Sequence, residues 1–160
     1  MNTCKTLLAG LVFIICFAPA VAEEQITVGT SKSSEDGMVT RSVYFVGACG
    51  DECLLANLSC GGPLEAELID IPSEEAAKSL AAERSLMILK VDDKSHEMPV
   101  ESFSFTEMNG TWGASARAMD SDAIYKGVGA AKSFTLSVAG RSKKLPVTVE
   151  VQAWAKACLN

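Results

Sequence analysis

The chain meets itself at a spacing of 47 residues. Leu89, Val91, Ser95, Pro99 and Val100 recur as Leu136, Val138, Ser142, Pro146 and Val147. Lys94 meets Arg141 and Met98 meets Leu145, so charge and apolar character also recur. A repeat of this kind limits the fold, because both copies must satisfy one local pattern. Two copies are too few for a solenoid. They are expected to share one core about a pseudo-twofold axis.

The copies span residues 64–105 and 112–151, each reading strand, helix, strand, turn, strand. In the first, LEAELIDI (64–71) alternates as a strand. Ser73 then opens the helical stretch SEEAAKSLAAE, as an N-cap with two acids in the first turn, where the helix dipole favours them. SLMILKV (85–91) is a strand, residues 92–95 a turn and 98–105 a further strand. In the second, WGASARAM (112–119) is strand-like and Asp120-Ser121 begins a helix through Ala131. SFTLSV (133–138) is a strand, 139–142 a turn and 145–151 a strand. Asn109-Gly110 between the copies is a turn signal.

Before the repeat, a short strand is expected at 25–30, followed by a loose loop through Gly37. A strand follows at 41–48, with its hairpin partner at 54–59. The chain closes in a short helix or irregular tail at 152–159. The expected fold class is α+β: a single antiparallel, β-rich domain over residues 23–160, forming a sheet or small sandwich with two helices.

Residues 1–22 have the layout of a secretory signal peptide. Lys5 is the positive head, residues 7–18 are a short apolar run, and Ala20-Val21-Ala22 is the cleavage signal. No later stretch is long and apolar enough to cross a bilayer, which takes about 20 residues. The expected location is periplasmic or secreted. Cys4 and Cys16 leave with the leader, so Cys49, Cys53, Cys60 and Cys158 remain. An even count in an oxidising compartment points to two disulfides, for which four cysteines allow three connectivities. The favoured pairing is Cys49–Cys53 across a tight turn and Cys60–Cys158 tying the C-terminus to the core. The spacing is not that of a zinc site.

The net charge of −6 argues against a nucleic-acid partner, which calls for a basic face. Charge is segregated along the chain. Residues 23–122 hold 19 acidic and 7 basic residues, whereas 123–160 hold 1 acidic and 6 basic. Arg141, Lys143 and Lys144 fall on the second expected hairpin turn. They are the candidate contact for a protein or an anionic envelope component.

Chemistry is sparse. His96 is the one histidine, and as a general base it would take Asp92 or Asp93 as orienter. Glu74-Glu75, Asp92-Asp93 and Asp120/Asp122 are carboxylate pairs, explained by helix starts and a turn. No calcium loop or phosphate-binding glycine motif is present, and Gly127-x-Gly129 falls within a helical stretch rather than after a strand. No catalytic residue, metal or cofactor is assigned. The leading expectation is a non-enzymatic exported protein that binds a protein or envelope partner. The alternatives are an inhibitor of an envelope-targeting hydrolase such as lysozyme, and a hydrolase using His96.

Residues 100–158 resemble the C-terminal part of the invasion-associated locus B family of bacterial exported proteins. The likeness is carried by Gly113-Ala114-Ser115-Ala116-x-Ala118-Met119-Asp120, by Ala123-Ile124 and Lys126-Gly127, by Leu145-Pro146-Val147 and by Trp154-Ala155. The resemblance implies a periplasmic or secreted β-rich protein in a family linked to host-cell association. It brings no catalytic residues.

Overall fold

The structure is a computed structural model that describes residues 26–35, 37–48, 53–83, 85–107 and 110–159. The expected leader and Cys49 lie outside these residues. Nine strands and three helices follow in chain order: β1 (Thr27–Glu35), β2 (Met38–Val46), β3 (Leu54–Cys60), β4 (Leu64–Ile71), α1 (Glu74–Ala82), β5 (Leu86–Val91), β6 (Lys94–Thr106), β7 (Thr111–Ala118), α2 (Asp122–Ala130), β8 (Ser133–Val138), β9 (Arg141–Pro146) and α3 (Val149–Cys158). The strands form one sheet in the order β1-β2-β3-β4-β7-β6-β5-β8-β9, and every neighbouring pair is antiparallel.

β6 turns the sheet. Its first half pairs with β5 and its second half with β7, and a register shift between Val100 and Ser102 separates the two. The sheet curls far enough that Arg141 on β9 lies 3.8 Å from Asp70 on β4, five strands away in the sheet order.

Alternation builds the core. Leu64, Ala66 and Leu68 of β4 face inward, as do Met87, Leu89 and Val91 of β5 and Phe134, Leu136 and Val138 of β8. Phe45 meets Phe134 edge-on across the interior, with ring centroids 5.6 Å apart. Helices α2 and α3 pack together through Tyr125 and Trp154, at 5.6 Å. The Trp154 indole N–H donates to the Arg41 carbonyl at 3.1 Å, which fixes α3 against β2.

The stretches β4-α1-β5-β6 and β7-α2-β8-β9 have the same element order. Asp92 and Ala139, 47 residues apart, are the two non-glycine residues with positive φ among the described residues, at 50° and 51°. The Val100 N–H donates to the Ser85 carbonyl, and 47 residues on the Val147 N–H donates to the Lys132 carbonyl.

Three expectations are corrected. Ser31 to Gly37 is not a loose loop, because β1 continues to Glu35 and turns at Gly37, where φ is 78°. The run is polar because β1 is an exposed edge strand, and exposure rather than irregularity explains its composition. Residues 147–151 are not strand. β9 ends at Pro146 and α3 begins at Val149, because Val151, Trp154 and Ala155 bury one helical face at i, i+3, i+4 spacing. That makes three helices rather than two. The Cys60–Cys158 bond is in place as expected, with Cα atoms 5.9 Å apart, and Cys53 is disulfide-bonded as well. The other expected pair includes Cys49, outside the described residues. By contrast, α1 starts as expected, with the Ser73 hydroxyl accepting from the Ala76 N–H at 3.2 Å.

Candidate functional site

The outer face of β2, β3, β4, β7 and β6 carries the side chains that alternation turns away from the core. Two rows of cross-strand neighbours run over it. In one, Tyr44 lies opposite Asn57, Asn57 opposite Glu67, Glu67 opposite Ser115 and Ser115 opposite Ser102. In the other, Ser42 lies opposite Ser59, Ser59 opposite Glu65 and Glu65 opposite Arg117. Adjacent strands are about 4.8 Å apart, so the first row extends roughly 19 Å across the sheet.

A groove of about 260 Å³ lies between the rows over β3, β4, β7 and β6. Asn57, Glu65, Glu67, Glu101, Ser102 and Arg117 supply its polar lining. Arg117 is shared between two acids. It donates to the Glu65 carboxylate and sits 3.6 Å from that of Glu101. Both partners hold the guanidinium in its charged form. These pairs are solvated, with Arg117 40% exposed, so each contributes little to stability.

Glu67 differs from the other two acids. Burial pushes its pKa above the ordinary glutamate value, and a bond to the Ser104 hydroxyl pulls the other way. The reach to Ser104 depends on Gly113, which lies between them on β7 opposite Ile69. A Cβ at Gly113 would stand 2.8 Å from Glu67 Oε1. The glycine therefore leaves the space that the carboxylate occupies. At the far end of the same row, the Tyr44 ring covers Gly29, where a Cβ would stand 2.2 Å from the ring. Asn57 Oδ1 and Arg117 Nε are buried without hydrogen-bond partners.

Arg141, Lys143 and Lys144 do not crown the turn. Ala139 and Gly140 form it, and β9 begins at Arg141. Arg141 and Lys143 share the face of their cross-strand partners Val138 and Leu136, whereas Lys144 lies opposite Thr135 on the other face. The three cations are therefore split between two faces by strand alternation. Arg141 additionally meets Asp70.

His96 is not in a turn either. It lies on β6 opposite Leu89, half-buried, while Asp92 and Asp93 sit in the exposed β5–β6 turn. Of the carboxylate pairs, Glu74 is bonded to Lys78 along α1, and Asp122 sits in the first turn of α2. No group of three or more potential metal ligands exists among the described residues.

Sequence reasoning missed the groove. The one available signal was the pattern Glu65-x-Glu67, which puts two acids on one strand face. Comparison of the chain with protein-family models, curated proteins and solved structures yields no match.

Proposed function

We propose that this chain is an exported, non-enzymatic binding protein that docks a protein of the cell envelope or its surroundings on the outer face of β3, β4, β7 and β6. The observation that carries this reading is the groove itself. It is a polar depression on a rigid antiparallel sheet, and its charged side chains come from three different strands. Sites on strands hold their geometry better than sites on loops. Export is supported by the leader pattern of residues 1–22 and by the Cys60–Cys158 bond, which belongs to an oxidising compartment. No helix among the described residues is long and apolar enough to cross a membrane. The likeness of residues 100–158 to the invasion-associated locus B family adds host association to the proposal.

Crosslinking and capture from an envelope fraction, with wild type and an Arg117→Glu, Glu65→Lys double variant, tests the reading. Specific recovery of a partner by wild type and its loss in the variant is expected. Equal recovery by both proteins would move the docking surface elsewhere.

The acidic lining favours a second reading, inhibition of a basic envelope-targeting hydrolase such as lysozyme. Glu65, Glu67 and Glu101 outnumber Arg117 in the groove, and such a charge pattern speeds encounter with a cationic protein. Titration against lysozyme activity tests it, and unchanged activity at excess protein removes it.

A further inference from the structure

We propose that β1 is a self-recognition strand: two copies of this chain pair antiparallel through their β1 edges, about a twofold axis at Ser31. This surface is an edge of the sheet, separate from the groove, and it pairs in this way whatever the groove binds.

The two edges of the sheet are built differently. β9 carries Arg141, Lys143 and Lys144 within six residues and stops at Pro146. Cations and proline are devices that keep a foreign strand off an edge. β1 is longer and less guarded. Its nine residues hold one cation, Lys32, and no proline. Its register with β2 runs unbroken from Thr27 to Glu35, so no bulge twists the edge away. Among the described residues, β2 is its one neighbour in the sheet. Every residue from Thr30 to Glu35 is exposed, on both faces of the strand.

Two residues join Glu35 to Met38, which lie opposite each other. In such a hairpin the closing pair exchanges its N–H and C=O bonds, and bonded pairs then alternate along the strands. Glu35, Ser33 and Ser31 therefore bond to β2. Ser34, Lys32, Thr30 and Val28 turn their N–H and C=O groups outward. A backbone row of this kind recognises another extended backbone.

A second copy satisfies the whole row. About Ser31, Val28 lies opposite the partner's Ser34 and Thr30 opposite the partner's Lys32, so each outward residue meets an outward residue. Any other twofold register leaves part of the row unpaired. Ser31 meets the partner's Ser31, and Gly29 meets the partner's Ser33, so side chains at the seam are small. No like charges lie directly opposite, which would destabilise a strand pair. Foreign strands gain specificity from side-chain pockets, and short exposed serines offer little of that.

Charge favours the same meeting place. Residues 23–122 carry a strong acidic excess, which pushes two copies apart. Within it, the β1–β2 hairpin is neutral, because Lys32 and Arg41 offset Glu35 and Asp36. Two acidic sheets can meet here without repulsion across the seam.

Sedimentation of the purified mature protein, from about 1 μM to about 1 mM, tests the proposal. A monomer–dimer equilibrium is expected. Lys32→Pro removes an outward N–H and spares the bonds to β2, and should weaken the dimer by about tenfold or more. Lys32→Gln keeps the backbone row and should dimerise like wild type. Ser31→Cys, on the axis, should crosslink two copies under mild oxidation. Glu35→Cys should not, because it lies opposite the partner's Thr27. The two cysteine variants decide the matter if the proline variant does not fold.

A monomer across the whole range would overturn the proposal. A dimer that a folded Lys32→Pro leaves intact would also overturn it, as would equal crosslinking by the two cysteine variants, since each places the contact elsewhere.

Discussion

Leu89 on β5 and Leu136 on β8 lie directly opposite each other, both fully buried and 47 residues apart in the chain. Their neighbours obey the same exchange. Met87 faces Val138 and Val91 faces Phe134, so each position in one strand meets the counterpart of its mirror position in the other. An antiparallel pair formed by equivalent strands is what a twofold axis through the Leu89–Leu136 pair produces. The register of the interior is thus tied to the sequence repeat.

Truncating either leucine should therefore cost similar amounts. Leu89→Ala and Leu136→Ala are each expected to destabilise by about 2–5 kcal/mol, the range for a buried leucine. The double variant should lose less than the sum, because the two residues share one contact and one cavity. Denaturant unfolding of the four proteins checks both points. Strict additivity would show that the two side chains do not share a packing site.

Ser121 ties two distant segments together. Its hydroxyl accepts from the Leu64 N–H at 2.8 Å and donates to the Ala118 carbonyl at 2.7 Å, in a buried position. Ser121→Ala removes both buried bonds and should cost about 1–3 kcal/mol. Amide exchange at Leu64 should accelerate in the variant. Unchanged protection at Leu64 would mean that the hydroxyl is dispensable there.

The Cys60–Cys158 bond closes a loop with a sequence separation of 98. In the chain-entropy account such a loop stabilises the fold by about 4.7 kcal/mol. Cys60→Ser with Cys158→Ser should lower stability by that order, and α3 should exchange its amides faster than β4 or β5 does. A loss spread evenly over the sheet would contradict the anchoring of α3 by this bond.

Glu67 gives stability a pH signature. Its pKa is raised in the folded protein above the ordinary 4.5, chiefly by burial. The folded state therefore favours the protonated acid. Its contribution is fully present below 4.5 and is lost as pH rises through the higher folded value. Glu67→Gln should match wild type at acid pH and become the more stable protein as pH rises past that window. Unfolding at a series of pH values measures the crossing. Curves that stay parallel would show that the carboxyl ionises in the folded protein as it does in the unfolded one.

Much of the architecture was legible in the residues. Alternation marked β4, β5 and β8, Ser73 with Glu74 and Glu75 marked the start of α1, and the 47-residue recurrence marked the two matching stretches. These signals are local, and local chemistry is written along the chain. Two segments misled because polarity and β-branching are ambiguous without neighbours. The serines of β1 suit an exposed edge as well as a loop, and Val147 to Val151 alternates like a strand until Trp154 and Cys158 are seen to be anchored.

The sequence by itself determined the antiparallel β-rich class, the helix start at Ser73 and the cysteine supply for a long-range bond. Tertiary structure alone decided the strand order, the position of His96 near the start of β6 and the division of Arg141, Lys143 and Lys144 between two faces. It also decided the groove. Asn57, Glu67, Glu101 and Arg117 come from four strands, and only pairing across the sheet brings them together. Spacing along a chain records which face a residue occupies, but not which strand will lie beside it.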